Sequence, residues 1–454
     1  MQNAKKLTEL SANIKGAYIL ANGHVFTRCG SHIPVGAILI VDDEIQDVGP
    51  LNEVLERNPD CEKYDVDGRL ILPGNICAHT HFYGMYSRGM ALKDEAPANF
   101  TEVLERLWWR LDKALDMETS ELSALVCLVQ GIKCGTTTVF DHHASPSCVT
   151  DSLNAIHSAC RKAGVRASLC YEVTDRNGPE EATEGINENA RWLEAVKTAE
   201  ADIPNQFHGL VGVHASFTVC DETLKGCVDA GGIHVHVAEG KADVVDSNEK
   251  YGKGVVQRLH DMGGTGPNSV FAHCIHITDE EKQLLKDTDT WVVHNPQSNM
   301  NNAVGVSDVV AMLEMGVPVC LGTDGMTLDM FAERKALYLL HKLKREDPRV
   351  MGWDADVMLF ENNAKMATHF FGKTIGKLSK GAAADVILMD YNSPTPIHDG
   401  NFPWHLQFGM DSSMVNTTIC GGRPLMVNRE LLTLNEKEIM KAAYEKTNEV
   451  WERF

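Results

Sequence analysis

The chain has 454 residues, of which 43% are apolar and 23% charged, and its 42 basic and 63 acidic side chains leave a formal charge of −21. That is the composition of a folded globular protein, and an acidic balance without any block of clustered Lys or Arg argues against nucleic acid and anionic membrane surfaces as partners. No window approaches ~18 consecutive apolar residues, and the polar start MQNAKKLTELSANIKG lacks the apolar core of a secretory signal, so a cytoplasmic protein is expected.

The length fits one large and one small domain, because α/β barrels run to about 250 residues or more as a single unit. From Ala17 to Gly49, short alternating runs broken by Asn-Gly, Gly and Asp-Asp predict a small β element. After Pro73-Gly74, short β-branched runs alternate with amphipathic helical stretches. Eight such runs, LILPGNICAHTH, TTTVFDHH, RASLCYEV, HGLVGVHAS, GIHVHVAE, SVFAHCIH, TWVVHNP and VPVCLGTDG, end near residues 80, 141, 173, 214, 237, 274, 294 and 323. Their mean step of about 35 residues, against ~31 per unit in a barrel of about 250 residues, predicts an α/β fold of the (β/α)₈ TIM-barrel type. Beyond the helix MLFENNAKMATHFFG, β texture returns in ADVILMDY and TTICGGRPLMVN, before a closing helix NEKEIMKAAYEKTNEVWERF. Both flanks are strand-rich and too short for cores of their own, so they are expected to join as one discontinuous β-sandwich domain. The predicted division is 73–376 for the barrel, with 1–72 and 377–454, the latter including the closing helix, for the second domain. The 13 cysteines are never spaced as CxxC, and Cys77, Cys170, Cys274 and Cys320 lie in apolar runs, so reduced, buried thiols are expected.

Every run ends in or near a polar or ionisable residue, six of them with histidine at or near that end, at the strand C-termini where barrels carry their reactive groups. His79 and His81 lie two apart on the first strand, so both side chains point to one face and can grip one ion. Alone the spacing says little: about 0.8 HxH patterns arise by chance in a chain with 19 histidines, and two occur. The order adds weight. His234 and His236 end strand five with Glu239 three residues on, His273 ends strand six, and Asp324 ends strand eight in LGTDG. Two imidazoles from strand one, one from strand five and a carboxylate from strand eight suit Zn²⁺ or Fe²⁺, with a position left for water. Asp324 can hold that water while touching the ion. Glu239 is cast as the proton shuttle, which requires the strand to bend after Val237 or Ala238.

The motifs LPGNICAHTHFYGMYSRG, IHVHVAEG, FAHC, HNPQSN and LGTDG, followed by GKLSKGAAADVILMD, resemble the amidohydrolase superfamily in its cytosine, guanine and methylthioadenosine deaminase-like branch. Within it the chain is most similar to the SsnA-type aminohydrolases, and the resemblance spans about Ala17 to Asn428. It implies metal ligation by His79, His81, His236 and Asp324, with Glu239 as general acid and base, and with His273 orienting the nucleophile or polarising the developing oxyanion. It also implies substrate contacts from His214, Arg88, Trp109 and Asp112, a small heterocycle and water as the partners, and a homodimer. Binuclear members bridge two metals through a carboxylated lysine on strand four, but QFHGLVGVHASFTV has none, so one divalent ion is expected, zinc ahead of iron. Relatives that accept S-adenosylhomocysteine carry an arginine near the end of strand three, where this chain reads Tyr171-Glu172, which argues against the methylthioadenosine substrate class.

Other residues carry blander readings. His142 and His143 read as structural or supporting, and His234 as a packed barrel residue one pleat deeper than His236. His276 and His294 stay open between tuning the mouth and packing, while Trp108 and Trp109 at helical spacing read as core rather than as a pocket cover. The leading expectation is metal-dependent hydrolysis at an amidine-like carbon of a small purine- or pyrimidine-related heterocycle, with release of ammonia. Two alternatives stand beside it: a cyclic amidase that opens the ring at the same site, and a catalytically silent accessory barrel.

Overall fold

The computed structural model describes residues 4–14 and 16–454; Met1, Gln2, Asn3 and Lys15, which belong to the polar start and to the predicted segment 1–72, lie outside the described residues. Eight parallel strands form the barrel: β1 (Asn75–Thr80), β2 (Thr136–His143), β3 (Arg166–Tyr171), β4 in two pieces (Phe207–Gly209 and Val211–Ala215), β5 (Ile233–Val237), β6 (Val270–His273), β7 (Trp291–His294) and β8 (Val319–Leu321). They pair in sequence order. β4 is interrupted at Leu210 because its first piece pairs with β3 and its second with β5. Residues of these strands are buried on both faces, as parallel strands covered by helices must be; all of Ile233–Val237 is buried, histidines included.

Two contacts close the ring, Val173 with Val213 and Thr80 with Asp324. At the second, the His81 amide donates to the Asp324 carbonyl at 3.1 Å and the Thr323 amide donates to the His79 carbonyl at 2.9 Å. The ends of the first and last strands, both rich in candidate ligands, are thereby stitched together.

The two flanks meet in one ten-stranded mixed sheet, where Leu70–Pro73 pairs antiparallel with Val386–Met389, Leu72 opposite Ile387. Alternate residues of Ala17–Val25 and Ile33–Val41 serve two apolar cores. Leu20, Ile38 and Ile40 pack with Val386 and Ile419, whereas Ile19 and Leu39 pack with Val54. Arg166 on β3 ties barrel to sheet, donating through Nε to Asp385 Oδ2 at 2.9 Å with both side chains fully buried. The closing helix, Glu436–Arg453, lies on the barrel helix Met117–Lys133, and the Trp451 indole donates to the Tyr86 carbonyl at 2.9 Å. All 13 cysteines are free thiols, and Cys77, Cys170, Cys274 and Cys320 are buried. Among the described residues no helix is long and apolar enough to cross a membrane.

Candidate active site

The ends of β1, β5, β6 and β8 bring their side chains to one mouth of the barrel, and the backbone there is bent on purpose. Ala238 (φ 46°), His273 (φ 73°), Cys274 (φ 48°) and Asp324 (φ 55°) adopt left-handed conformations. Such conformations in non-glycine residues cost of order 1–3 kcal/mol each and persist only where the surroundings hold them. Ala238 makes the bend that Glu239 needs: β5 stops at Val237, and Asp243 from the next helix accepts the Ala238 amide hydrogen at 2.7 Å. β8 approaches β1 closely at Gly322, where a Cβ would come within 2.6 Å of Asn295 Oδ1 and 2.9 Å of the His79 amide nitrogen.

His81 and His236 present their Nε2 atoms to each other at 3.0 Å. Each ring donates through Nδ1 to a carbonyl at 2.6 Å, His81 to that of His142 and His236 to that of His214. In the neutral form that ligates a cation, both rings carry their lone pairs on Nε2, and two lone pairs facing at that distance repel unless a cation lies between them. Asp324 Oδ1 lies 3.1 Å from His81 Nε2 and 3.7 Å from His79 Nε2, an atom buried without a hydrogen-bond partner. A tetrahedral ion with ligands at 2.0–2.1 Å keeps its donors about 3.4 Å apart. The four groups thus fit a divalent ion held by nitrogen and oxygen. His79 turns its other nitrogen to His234 Nε2 at 2.9 Å, which makes His234 the residue that orients His79. Burial lowers the His79 imidazole to about 3, whereas at His81 the adjacent Asp324 outweighs burial and raises it to about 9. Burial also opposes ionisation of Asp324, but its bonds to His79 and His81 prevail and hold it well below the usual carboxylate range.

Glu239 sits beside this cluster with Oε2 3.5 Å from His273 Nε2 and Oε1 3.5 Å from Asn302 Nδ2. Burial, reinforced by the charge on Asp324, pushes its carboxyl well above the ordinary value. His273 donates through Nδ1 to Asn299 Oδ1 at 2.8 Å, so Nε2 keeps its lone pair, facing Glu239 and 3.8 Å from Asp324 Oδ2. The Ser298 hydroxyl donates to Asp324 Oδ2.

A cavity of about 400 Å³ opens over the cluster, and His214, Arg88, Trp109 and Asp112 all line it. His214 holds Thr218 Oγ1 at 2.8 Å through Nδ1, and its Nε2 lies 3.9 Å from Glu172 Oε1. Arg88 is exposed, its guanidinium bonded to Gln130 Oε1 at 2.7 Å. Trp108 and Trp109 are both half-buried cavity walls; Trp108 also packs against the main core as expected, whereas Trp109 does not, and both lie on or next to a π-helical turn at Leu104–Trp108, an irregularity frequent at functional sites. His142 supports His81 through its carbonyl, and His143 bonds Ser145. His294 is buried against His341 and His276 donates to the Val304 carbonyl, and neither lines the cavity. Three groups escaped the sequence reading as parts of the site. Glu172 follows β3 with Oε2 3.2 Å from His142 Nδ1, Arg176 bonds Asp112 Oδ2 at 2.9 Å, and Asp243 holds the Ala238 bend. The signal for Glu172 was its place at a strand end.

An amidohydrolase family profile matches residues 70–425. The chain is 30% identical over 448 residues to a 5′-deoxyadenosine deaminase of Methanosarcina mazei, covering 96% of this chain and 98% of the relative. It is 31% identical over 434 residues to a 5-methylthioadenosine/S-adenosylhomocysteine deaminase of Syntrophobacter fumaroxidans, covering 93% and 96%. Among solved structures, an adenosine deaminase from Xanthomonas campestris with bound zinc superimposes with a TM-score of 0.85 at 19% identity, covering 96% of this chain and 99% of that one, a likeness of fold. With the barrel and the family match in agreement, the chain belongs to the amidohydrolase family and is a hydrolase of carbon–nitrogen bonds.

Proposed function

We propose that the chain is a mononuclear, zinc-dependent aminohydrolase acting on an adenosine-type nucleoside or a related purine or pyrimidine. It exchanges an exocyclic amino group for oxygen: water adds to the amidine-like carbon, the carbon–nitrogen bond breaks, and ammonia leaves. The observation that carries this reading is the convergence of His79 Nε2, His81 Nε2, His236 Nε2 and Asp324 Oδ1, with Glu239 and the open nitrogen of His273 beside them. We assign the first four as the metal ligands, and the absence of thiolate among them favours zinc or iron over soft-metal chemistry. A divalent ion there would lower the pKa of water toward about 7 and supply a nucleophile at neutral pH.

The chain's own groups then divide the proton work. His273 Nε2 takes a hydrogen bond from the attacking water and aims it. Glu239 accepts the proton that water loses and passes it to a ring nitrogen, and its raised proton affinity suits it to hold that proton between the two transfers; the second proton of the water moves from the added oxygen to the amino group, which leaves as ammonia while the oxygen becomes the carbonyl. His214, Trp109 and Asp112 contact the substrate from the cavity wall, and Arg88 does so from the rim. Opening the ring instead, as a cyclic amidase does, is disfavoured by the lack of a lysine on β4. The test is ammonia release by the purified, zinc-loaded protein across a panel of aminopurine nucleosides, aminopyrimidines and cyclic ureides. Ammonia from an amino-heterocycle is expected; ring-opened acid without ammonia would overturn the reading.

A further inference from the structure

One wall of the cavity is acidic and incompletely satisfied. Asp112 and Glu172 both line it and are only 1% and 4% exposed. They share one guanidinium, since Arg176 Nη2 lies 2.9 Å from Asp112 Oδ2 and 3.6 Å from Glu172 Oε1. Arg176 itself is outside the lining and stacks behind Trp109, 4.8 Å from the ring centre. Asp112 Oδ1 is buried and has no partner in the protein, an acceptor left over for a ligand.

The rest of the lining points the same way. Tyr83, Phe100, Trp108, Trp109 and Phe217 contribute aromatic surface, which attracts positive charge. Arg88 is the basic side chain among the lining residues, and it stands exposed with its guanidinium bonded to Gln130. A substrate carrying a carboxylate or phosphate would bury that charge against two carboxylates that share one guanidinium, and that guanidinium, Arg176, is outside the lining.

Resting on the aminohydrolase reading, we propose that the cavity selects by charge: the non-reacting part of the substrate presents hydrogen-bond donors or a cationic amine to Asp112 and Glu172, and an anionic substituent is rejected. A matched series tests this on the zinc-loaded full chain: 5′-amino-5′-deoxyadenosine, 5′-deoxyadenosine and adenosine 5′-carboxylate, at about pH 7.5. Binding is read by tryptophan fluorescence and turnover by ammonia release. The amine is expected to bind at least about tenfold more tightly than the carboxylate, with the neutral compound between them, and Glu172→Gln or Asp112→Asn is expected to shrink that contrast. The wild-type order alone decides, so a variant that fails to fold leaves the outcome intact. Ammonia released without that order, or with the carboxylate preferred, overturns the charge selection and leaves the aminohydrolase reading standing. The expected binding order without ammonia from any of the three keeps the selection and removes adenosine-type nucleosides as substrates. No binding of any member overturns the charge selection and removes adenosine-type nucleosides as substrates.

Discussion

Asp243 accepts the Ala238 amide hydrogen at 2.7 Å, and Ala238 is the left-handed residue that turns the chain from β5 toward Glu239. The bond holds a conformation that a residue with a side chain otherwise disfavours by roughly 1–2 kcal/mol. Asp243→Ala is therefore expected to lower kcat about 10- to 100-fold with little change in KM, because a displaced proton carrier loses rate rather than binding. Asp243→Asn keeps an oxygen for the amide and is expected to stay within about threefold of wild type. Steady-state ammonia release checks both, and equal losses in the two variants would show that the charge, not the bond, matters.

The same residue carries a pH signature. Burial raises Asp243 to about 7, with the Ala238 bond opposing and Glu239 adding to the rise. The folded chain thus holds a proton that the unfolded chain, with an ordinary pKa near ~3.9, has released. The stability from that proton is present in full below about pH 4 and is lost as pH rises through about 7, on the order of 1–4 kcal/mol in total. Asp243→Asn is neutral at every pH, so denaturant titrations are expected to show it gaining on wild type between about pH 5 and 7.5. A difference that does not change with pH contradicts the assignment.

Glu239→Gln keeps the size of the side chain and removes its capacity to accept a proton. Turnover is expected to fall about 10²- to 10⁴-fold, with metal content and substrate affinity retained. Near-normal turnover would exclude Glu239 as the proton carrier.

Arg166 and Asp385 join barrel and sheet as a fully buried pair, and Arg166 also donates to the Pro204 and Asn205 carbonyls. Removing one partner leaves the other charge buried, which typically costs about 3–5 kcal/mol. Asp385→Ala is expected to lose that much in denaturant unfolding, and a loss under about 1 kcal/mol would mean that water reaches the pair.

The barrel and the ionisable residues at its strand ends were readable in the sequence because both faces of a parallel strand are buried, so each strand announces itself as an apolar run that stops at an ionisable residue. The bend at Ala238 was readable for a related reason: Glu239 is out of phase with His236, and a strand cannot serve both without turning. The acidic wall had no such signal. Asp112 comes from the irregular stretch at 100–114, Glu172 from the end of β3 and Arg176 from the loop beyond it, so their pairing exists only in three dimensions. Trp108 and Trp109 followed helical spacing, yet spacing does not distinguish a face packed on the core from one packed on a cavity. The interruption of β4 at Leu210 reflects a change of pairing partner, which local propensity does not encode.

The central claim is that His79, His81, His236 and Asp324 hold one ion, and metal content per chain tests it most directly. Elemental analysis of the purified protein, beside His81→Ala and His236→Ala variants whose folding is checked by circular dichroism, is expected to find a single divalent ion per wild-type chain, with both variants folded and metal-depleted. A folded wild-type chain that takes up no ion from excess zinc, or variants that keep a full complement, would contradict the account.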